Sequence, residues 1–189
     1  MTELHRSLRG YQVFLDSVTE QELELIRQWR NDPAVSQFML SQQLIDKEQQ
    51  QAWFKKISHD SSQQHFMIRY KDQNIGVANI KACYQGETLL NSRAIEPGLY
   101  IADERYRSNI LAFAPTLLLN DYCFDVLGTA CLKACVKADN QAALHYNSKL
   151  GYQIEKQADL VEIVLYKDDY QRQSQGLKAL LSRPSLKNQ

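Results

Sequence analysis

Between Ala94 and Ala138 the chain reads as a strand, a polar turn, a long apolar helix and a second strand. The first strand is "AIEPGLYI" (94–101), the helix ends near Val126, and the second strand is "ACLKACVKA" (130–138). A strand–helix–strand unit carries its helix across a sheet face, which prunes the available topologies more than any other feature. Two strands, "HFMIRY" (65–70) and "IGVANIKACY" (75–84), precede it around the hairpin turn "KDQN". "YQVFLDSV" (11–18) alternates like an edge strand, and "YQIEKQ" and "LVEIVLYK" close the sheet.

Helices fill the intervals. "TEQELELIRQWRN" opens on Thr19 with Glu22 three residues on, a capping box. "DKEQQQAWFKKI" opens on an Asp46 cap, and the helix after Asp139 stops at Gly151. The segment between the first two helices is irregular, residues 168–182 read as a helix, and the last residues read as frayed. The fold class is therefore α/β in the α+β sense: a mixed, mostly antiparallel sheet of about seven strands with helices on both faces. With 189 residues and no linker or repeat, one domain over 1–189 is expected, its core at about 11–170 and a helix and tail at 168–189.

Bulk chemistry excludes several function classes. Lys+Arg and Asp+Glu both total 22, so the basic footprint of a nucleic-acid binder is missing. The longest apolar run, Ile110–Leu119, is too short to span a membrane and contains Pro115. The first residues lack a signal-peptide core, and a cytoplasmic protein is expected. Cys131 and Cys135 share a strand face roughly 13 Å apart, too far to pair or to share a metal ion. Four free thiols and no metal site are expected; the four histidines show no ligand spacing.

Several motifs resemble the GNAT superfamily of N-acetyltransferases, in family order over about residues 11–170. "EPGLYI" is similar to the family's E-x-G-x-Y-I strand. Arg107 begins a stretch similar to the pyrophosphate loop [R/Q]-x-x-G-x-[G/A]. "ADNQAALHYNSKLGYQIE" (138–155) resembles N-x-x-[A/S]…K-L-G-[F/Y]. "WRNDPAV" and "QQAWF" resemble the branch containing ribosomal-protein N-terminal and amino-sugar N-acetyltransferases. The resemblance implies acetyl-CoA as co-substrate, a small-molecule or peptide amine as acceptor, and a monomer or homodimer.

It also implies site residues. A helix N-terminus offers unpaired amides to a diphosphate. Arg105, Arg107, Ser108, Asn109, Ile110, Leu111 and Ala112 would hold it, the arginines adding charge. Ile110 stands where the family has glycine, and Ser108 where glycine is common; either the Ser108 and Asn109 side chains take over phosphate contacts, or CoA binds weakly. Pro115 either kinks the helix or marks its start. Pro97–Gly98 should make its strand irregular and free the amides of Leu99 and Ile101 for the thioester and the pantetheine arm. Glu96 is the candidate general base, its alternative being a salt-bridged strand-end charge. Tyr146 is the candidate acid, or it points into the core. Asn140 caps its helix or contacts CoA, and Asn147 could reach the sulfur. Trp29 and Trp53 fit core packing better than substrate stacking. The implied function is acetyl-CoA-dependent N-acetylation of a primary amine, an amino sugar or small amine ahead of a protein N-terminus. The alternative is a degenerate domain that binds CoA or a partner without catalysis.

Overall fold

The computed structural model describes residues 4–183. Eight strands form one sheet: β1 (Ser7–Gly10), β2 (Val13–Ser17), β3 (Gln63–Tyr70), β4 (Gln73–Ala82), β5 (Ala94–Ile101), β6 (Cys131–Lys137), β7 (Gln153–Lys156) and β8 (Leu160–Tyr166). Their order is β1-β2-β3-β4-β5-β6-β8-β7, and only β5 and β6 run parallel. The helices are α1 (Leu23–Asn31), α2 (Pro33–Ser36), α3 (Lys47–Ser58), α4 (Glu104–Arg107), α5 (Phe113–Asp121), α6 (Gln141–Lys149) and α7 (Lys167–Leu181). The fold class is the expected one, with helices on both faces.

The expected count of seven strands is one short. Ser7–Gly10 pairs with β2, so β1 is the edge and β2 is not. The turn between them holds Tyr11 and Gln12 at φ 51° and 70°. Positive φ at both central residues usually announces itself as Asn-Gly, and here it does not. Other local signals hold. Asp46 accepts from the Gln49 amide at 2.7 Å, and the Gln49 side chain accepts from the Asp46 amide at 2.9 Å. Gly151, at φ 98°, ends α6, with Gly151 N–H bonded to Ser148 C=O and Tyr152 N–H to Asn147 C=O. The segment after α1 is less irregular than expected, since Asp32 caps the short α2. Of the tail expected to fray, residues 184–189 lie outside the described residues.

The main core lies between the sheet and α5, which is buried from Ala114 through Asn120. Being apolar on every side, α5 has to run through the interior. A second cluster on the opposite face joins Leu23 and Ile26 of α1 to Met67 and Val77, flanked by Trp29, Trp53, Phe54 and Tyr100. Both tryptophans thus pack against core. Among the described residues no helix is long and apolar enough to cross a membrane.

Candidate active site

The site is organised by the way β5 leaves β6. The two strands pair only at Ala94–Cys131 and Ile95–Leu132. On its other side β5 stays in unbroken antiparallel register with β4 from Ile95 to Ile101. The irregularity expected at Pro97–Gly98 is therefore not a bulge but a one-sided parting. Alternation explains it. Cys83 N–H bonds to Ala94 C=O, and Ala102 N–H to Ile75 C=O, so the even-numbered residues of β5 direct their backbone toward β4. The odd-numbered residues, Pro97, Leu99 and Ile101, face the gap beside β6. Pro97 has no donor to lose there, and the amides of Leu99 and Ile101 point into the gap past the last rung of the β5–β6 ladder.

Glu96, Gly98 and Tyr100 share the face that carries α1 and α3, opposite Lys81, Asn79 and Val77 of β4. Glu96 is exposed, and among the described residues its carboxylate has no hydrogen bond or ion pair, which removes the salt-bridged alternative. Its charge is felt nearby. Burial first, then Glu96, raises the Cys83 thiol to about 11, and the same two causes, with Glu162, raise Cys135. All four cysteines are free, and no cluster among the described residues could hold a metal ion.

On the same face His65 packs its ring edge-on to Trp53, centroids 5.1 Å apart, and bonds through Nε2 to Gln63 Oε1 at 2.9 Å. Burial, reinforced by Lys81 and partly offset by Asp60, lowers its pKa from 6.5 to about 4. The imidazole is neutral near pH 7. A folded pKa below the unfolded one means that stability is complete above pH ~6.5 and is lost as pH falls toward 4, by up to about 3 kcal/mol. Urea unfolding of the wild type across that window should show this slope, and His65→Gln should flatten it.

The turn between β5 and α5 differs from expectation in its details. Regular α-helix begins at Phe113, after α4 and a short 3-10 turn at Ile110–Ala112. Pro115 is thus the third residue of α5, where a missing N–H costs little. The helix ends at Asp121, and a π-turn, Tyr122–Val126, completes the run. Arg107 does not point outward: its guanidinium donates to the C=O of Ile101 (3.0 Å) and of Ala102 (2.8 Å), lashing the turn to the end of β5. Arg105 is exposed but pairs with Asp103 and donates to Gln73 Oε1. Leu111 and Ala112 amides are occupied by Asn109 Oδ1 (2.8 Å) and Asn109 C=O (3.1 Å). The amides of Asn109 and Ile110 donate to nothing among the described residues, and Ser108, Asn109 and Ile110 are exposed. The unpaired part of the expected 107–112 cradle is its middle.

The candidates on α6 are mostly committed elsewhere. Asn140 caps α6, its Oδ1 accepting from Ala143 N–H at 3.0 Å. Asn147 donates back to Ala143 C=O of its own helix. Tyr146 stacks on Phe113 with centroids 4.3 Å apart and donates to Ala112 C=O at 3.0 Å. A hydroxyl has one proton, so Thr116 must be the donor in the 2.5 Å bond to Tyr146. Burial raises the Tyr146 pKa far above the usual phenol value. Tyr146 is therefore no free acid: its place on the helix turns it onto the start of α5. Sequence reading assigned Tyr100 no role, although it is the tyrosine of the E-x-G-x-Y-I resemblance and alternates with Glu96.

The structure thus sets a β-strand that parts from its parallel neighbour beside a turn with open amides. Residues 12–153 match the model of the acetyltransferase (GNAT) domain. This chain belongs to the GNAT acetyltransferase family. Acetyltransferase PseH of Campylobacter jejuni is 31% identical over 156 residues, 80% of this chain and 90% of that relative. A Vibrio cholerae spermidine N-acetyltransferase, solved with CoA and spermine, superposes with TM-score 0.73 at 17% identity, over 86% of this chain and 99% of that one. Apo FdhC, a nucleotide-linked sugar GNAT, gives TM-score 0.73 at 19% identity, over 90% and 96%. This GNAT chain is an acetyltransferase with acetyl-CoA as its acyl donor.

Proposed function

We propose that this enzyme transfers acetyl from acetyl-CoA to the primary amine of a small molecule by direct attack, in the cytoplasm and through one domain spanning 1–189. An amino sugar is the favoured acceptor, a small polyamine next and a protein N-terminus last. The likeness to a nucleotide-linked sugar enzyme and to a spermidine enzyme supports this order. The observation that carries the reading is the open side of β5, where the Leu99 and Ile101 amides face the gap three and five residues along the strand from Glu96, whose carboxylate is unpaired among the described residues.

In this reading Leu99 N–H donates to the thioester oxygen, and Ile101 N–H to the pantetheine arm. The Asn109 and Ile110 amides, with Ser108 beside them, receive the diphosphate. Glu96 takes the ammonium proton, directly or through one water. The free amine attacks the carbonyl carbon; the new C–N bond forms as the C–S bond breaks, and the electron pair leaves on sulfur. A thiol ionises near pKa ~8.5 against ~10.4 for an alkyl amine, so the thiolate is the better leaving group. The thiolate takes up, directly or through solvent, the second proton that the nitrogen sheds as it becomes an amide, and no protein acid is required.

The test is thiol release from acetyl-CoA with amino sugars, polyamines and a peptide N-terminus, beside a thermal shift with CoA alone. Turnover with at least one small amine is expected. Stabilisation by CoA with no turnover across the panel would transfer the chain to the non-catalytic, CoA-binding reading. No shift at millimolar CoA would remove both.

A further inference from the structure

Arg30, the penultimate residue of α1, is an arginine without a partner. Among the described residues it makes no hydrogen bond and no ion pair, and its Nη1 is fully buried. α1 packs on the sheet face that carries Tyr100, whose hydroxyl is also fully buried and also unpartnered. The charge of Arg30 reaches that hydroxyl. The surroundings are apolar, with Trp29, Trp53 and Phe54 packed on the same cluster as Tyr100.

Orphaned donors are costly in such a place, and an uncompensated guanidinium is the costliest. Of the arginines nearby, Arg27, one turn earlier, holds Glu24, and Arg69 pairs with Glu22 and Asp16 although its own Nε makes no hydrogen bond. Arg30 differs from both in having no carboxylate partner among the described residues. A guanidinium and a phenol O–H are both donors, and what the two lack is an acceptor, which an oxyanion would supply to both. Tyr100 sits two residues along the same strand face from Gly98, roughly 7 Å away, and roughly 13 Å from Glu96. Gly98 itself leaves the floor low: a Cβ there would come within 3.0 Å of Asn79 Oδ1. Both residues keep some exposure, so the site opens at its rim.

We propose that Arg30 and Tyr100 form an acceptor-recognition site for an oxyanion, phosphate or carboxylate, carried by the amine about one sugar-length from the nitrogen that reacts. This deepens the acetyltransferase reading and rests on it for the placement of the reacting amine.

Two measurements decide it. In the first, inorganic phosphate and malonate are titrated against protein already saturated with CoA, so that the diphosphate site is filled. One of the two should raise Tm in a saturable way, and which one does separates phosphate from carboxylate. Arg30→Gln should abolish the shift, and Arg27→Gln should keep it. In the second, glucosamine 6-phosphate and glucosamine are compared as acceptors. The kcat/KM ratio should favour the phosphorylated amine and fall about 10–100-fold in Arg30→Gln, the range of a lost charge-assisted bond. Arg30→Met should also raise the Tm of the ligand-free protein, because it removes a buried, unpaired charge. A saturable shift that survives Arg30→Gln, no shift with either anion, or a lower ligand-free Tm in Arg30→Met overturns the proposal. Should the wild type acetylate no amine at all, the proposed function fails while the anion titration still decides this site.

Discussion

Replacing Glu96 with glutamine is expected to lower kcat/KM by about 10²–10⁴-fold, the range a positioned general base contributes. Glutamine keeps the size and the hydrogen-bonding oxygen of glutamate but cannot take a proton. Because Glu96 is exposed and unpaired among the described residues, nothing in the fold leans on its charge. Tm should therefore stay within the small range of surface substitutions. CoA affinity should also hold, since the groups assigned to the cofactor are backbone amides. A rate loss below about threefold would mean that the proton leaves by another route, and Glu96 would lose its role. The measurement separates base from scaffold because a scaffold residue would lower Tm along with the rate, and a base lowers the rate alone.

What could be read from the sequence was what neighbouring residues decide. The Asp46–Gln49 box and the Gly151 stop involve groups within five positions, and both stand as expected. The alternation that places Glu96, Gly98 and Tyr100 on one face is local too. Errors arose where a partner lies far along the chain or where a turn lacks its usual residues. Tyr11 and Gln12 hid the β1–β2 hairpin by taking positive φ without glycine or asparagine. Pro97 and Gly98 together predict an irregular strand, the proline because it lacks a ladder donor and the glycine because it often marks a bulge. Only the register with β4 reveals that this position faces the open side. Arg107 was rightly located in its turn and wrongly aimed, since the carbonyls it grips belong to the strand end that the fold brings back to it. Tyr146 finds Ala112 across 34 positions, and α1, which carries Arg30, packs on the face that holds Tyr100. No spacing rule reaches that far.

Gly76→Ala is expected to be the most damaging single methyl in the molecule. Gly76 lies in β4 opposite Ile101 of β5, and a Cβ there would stand 2.2 Å from the Tyr100 carbonyl oxygen and 3.0 Å from Ile101 Cα. Those atoms are backbone, so no side chain can swing aside; the strands must separate. The neighbouring rungs resist, because Ala102 and Asp103 amides both bond to Ile75 C=O, at 2.8 and 3.2 Å. Overpacking of this kind costs about 3 kcal/mol or more, which at this chain length corresponds to a Tm loss of roughly 6–12 °C. Gly176, in α7 with nothing within 4 Å of its Cβ position, gives the opposite control: Gly176→Ala should stabilise by about 0.5–1 kcal/mol. The sharper consequence is functional. The segment pushed away carries Tyr100 and the Ile101 amide, and Ile101 C=O is one of the two anchors of Arg107. CoA affinity should fall at least tenfold at temperatures where the variant is still folded. If Gly76→Ala instead melts within about 2 °C of wild type, the β4 and β5 backbones do not approach closely at this position. If it melts low yet binds CoA normally, the amides of β5 are not the cofactor's donors, and the cofactor must be held from the α4–α5 turn alone.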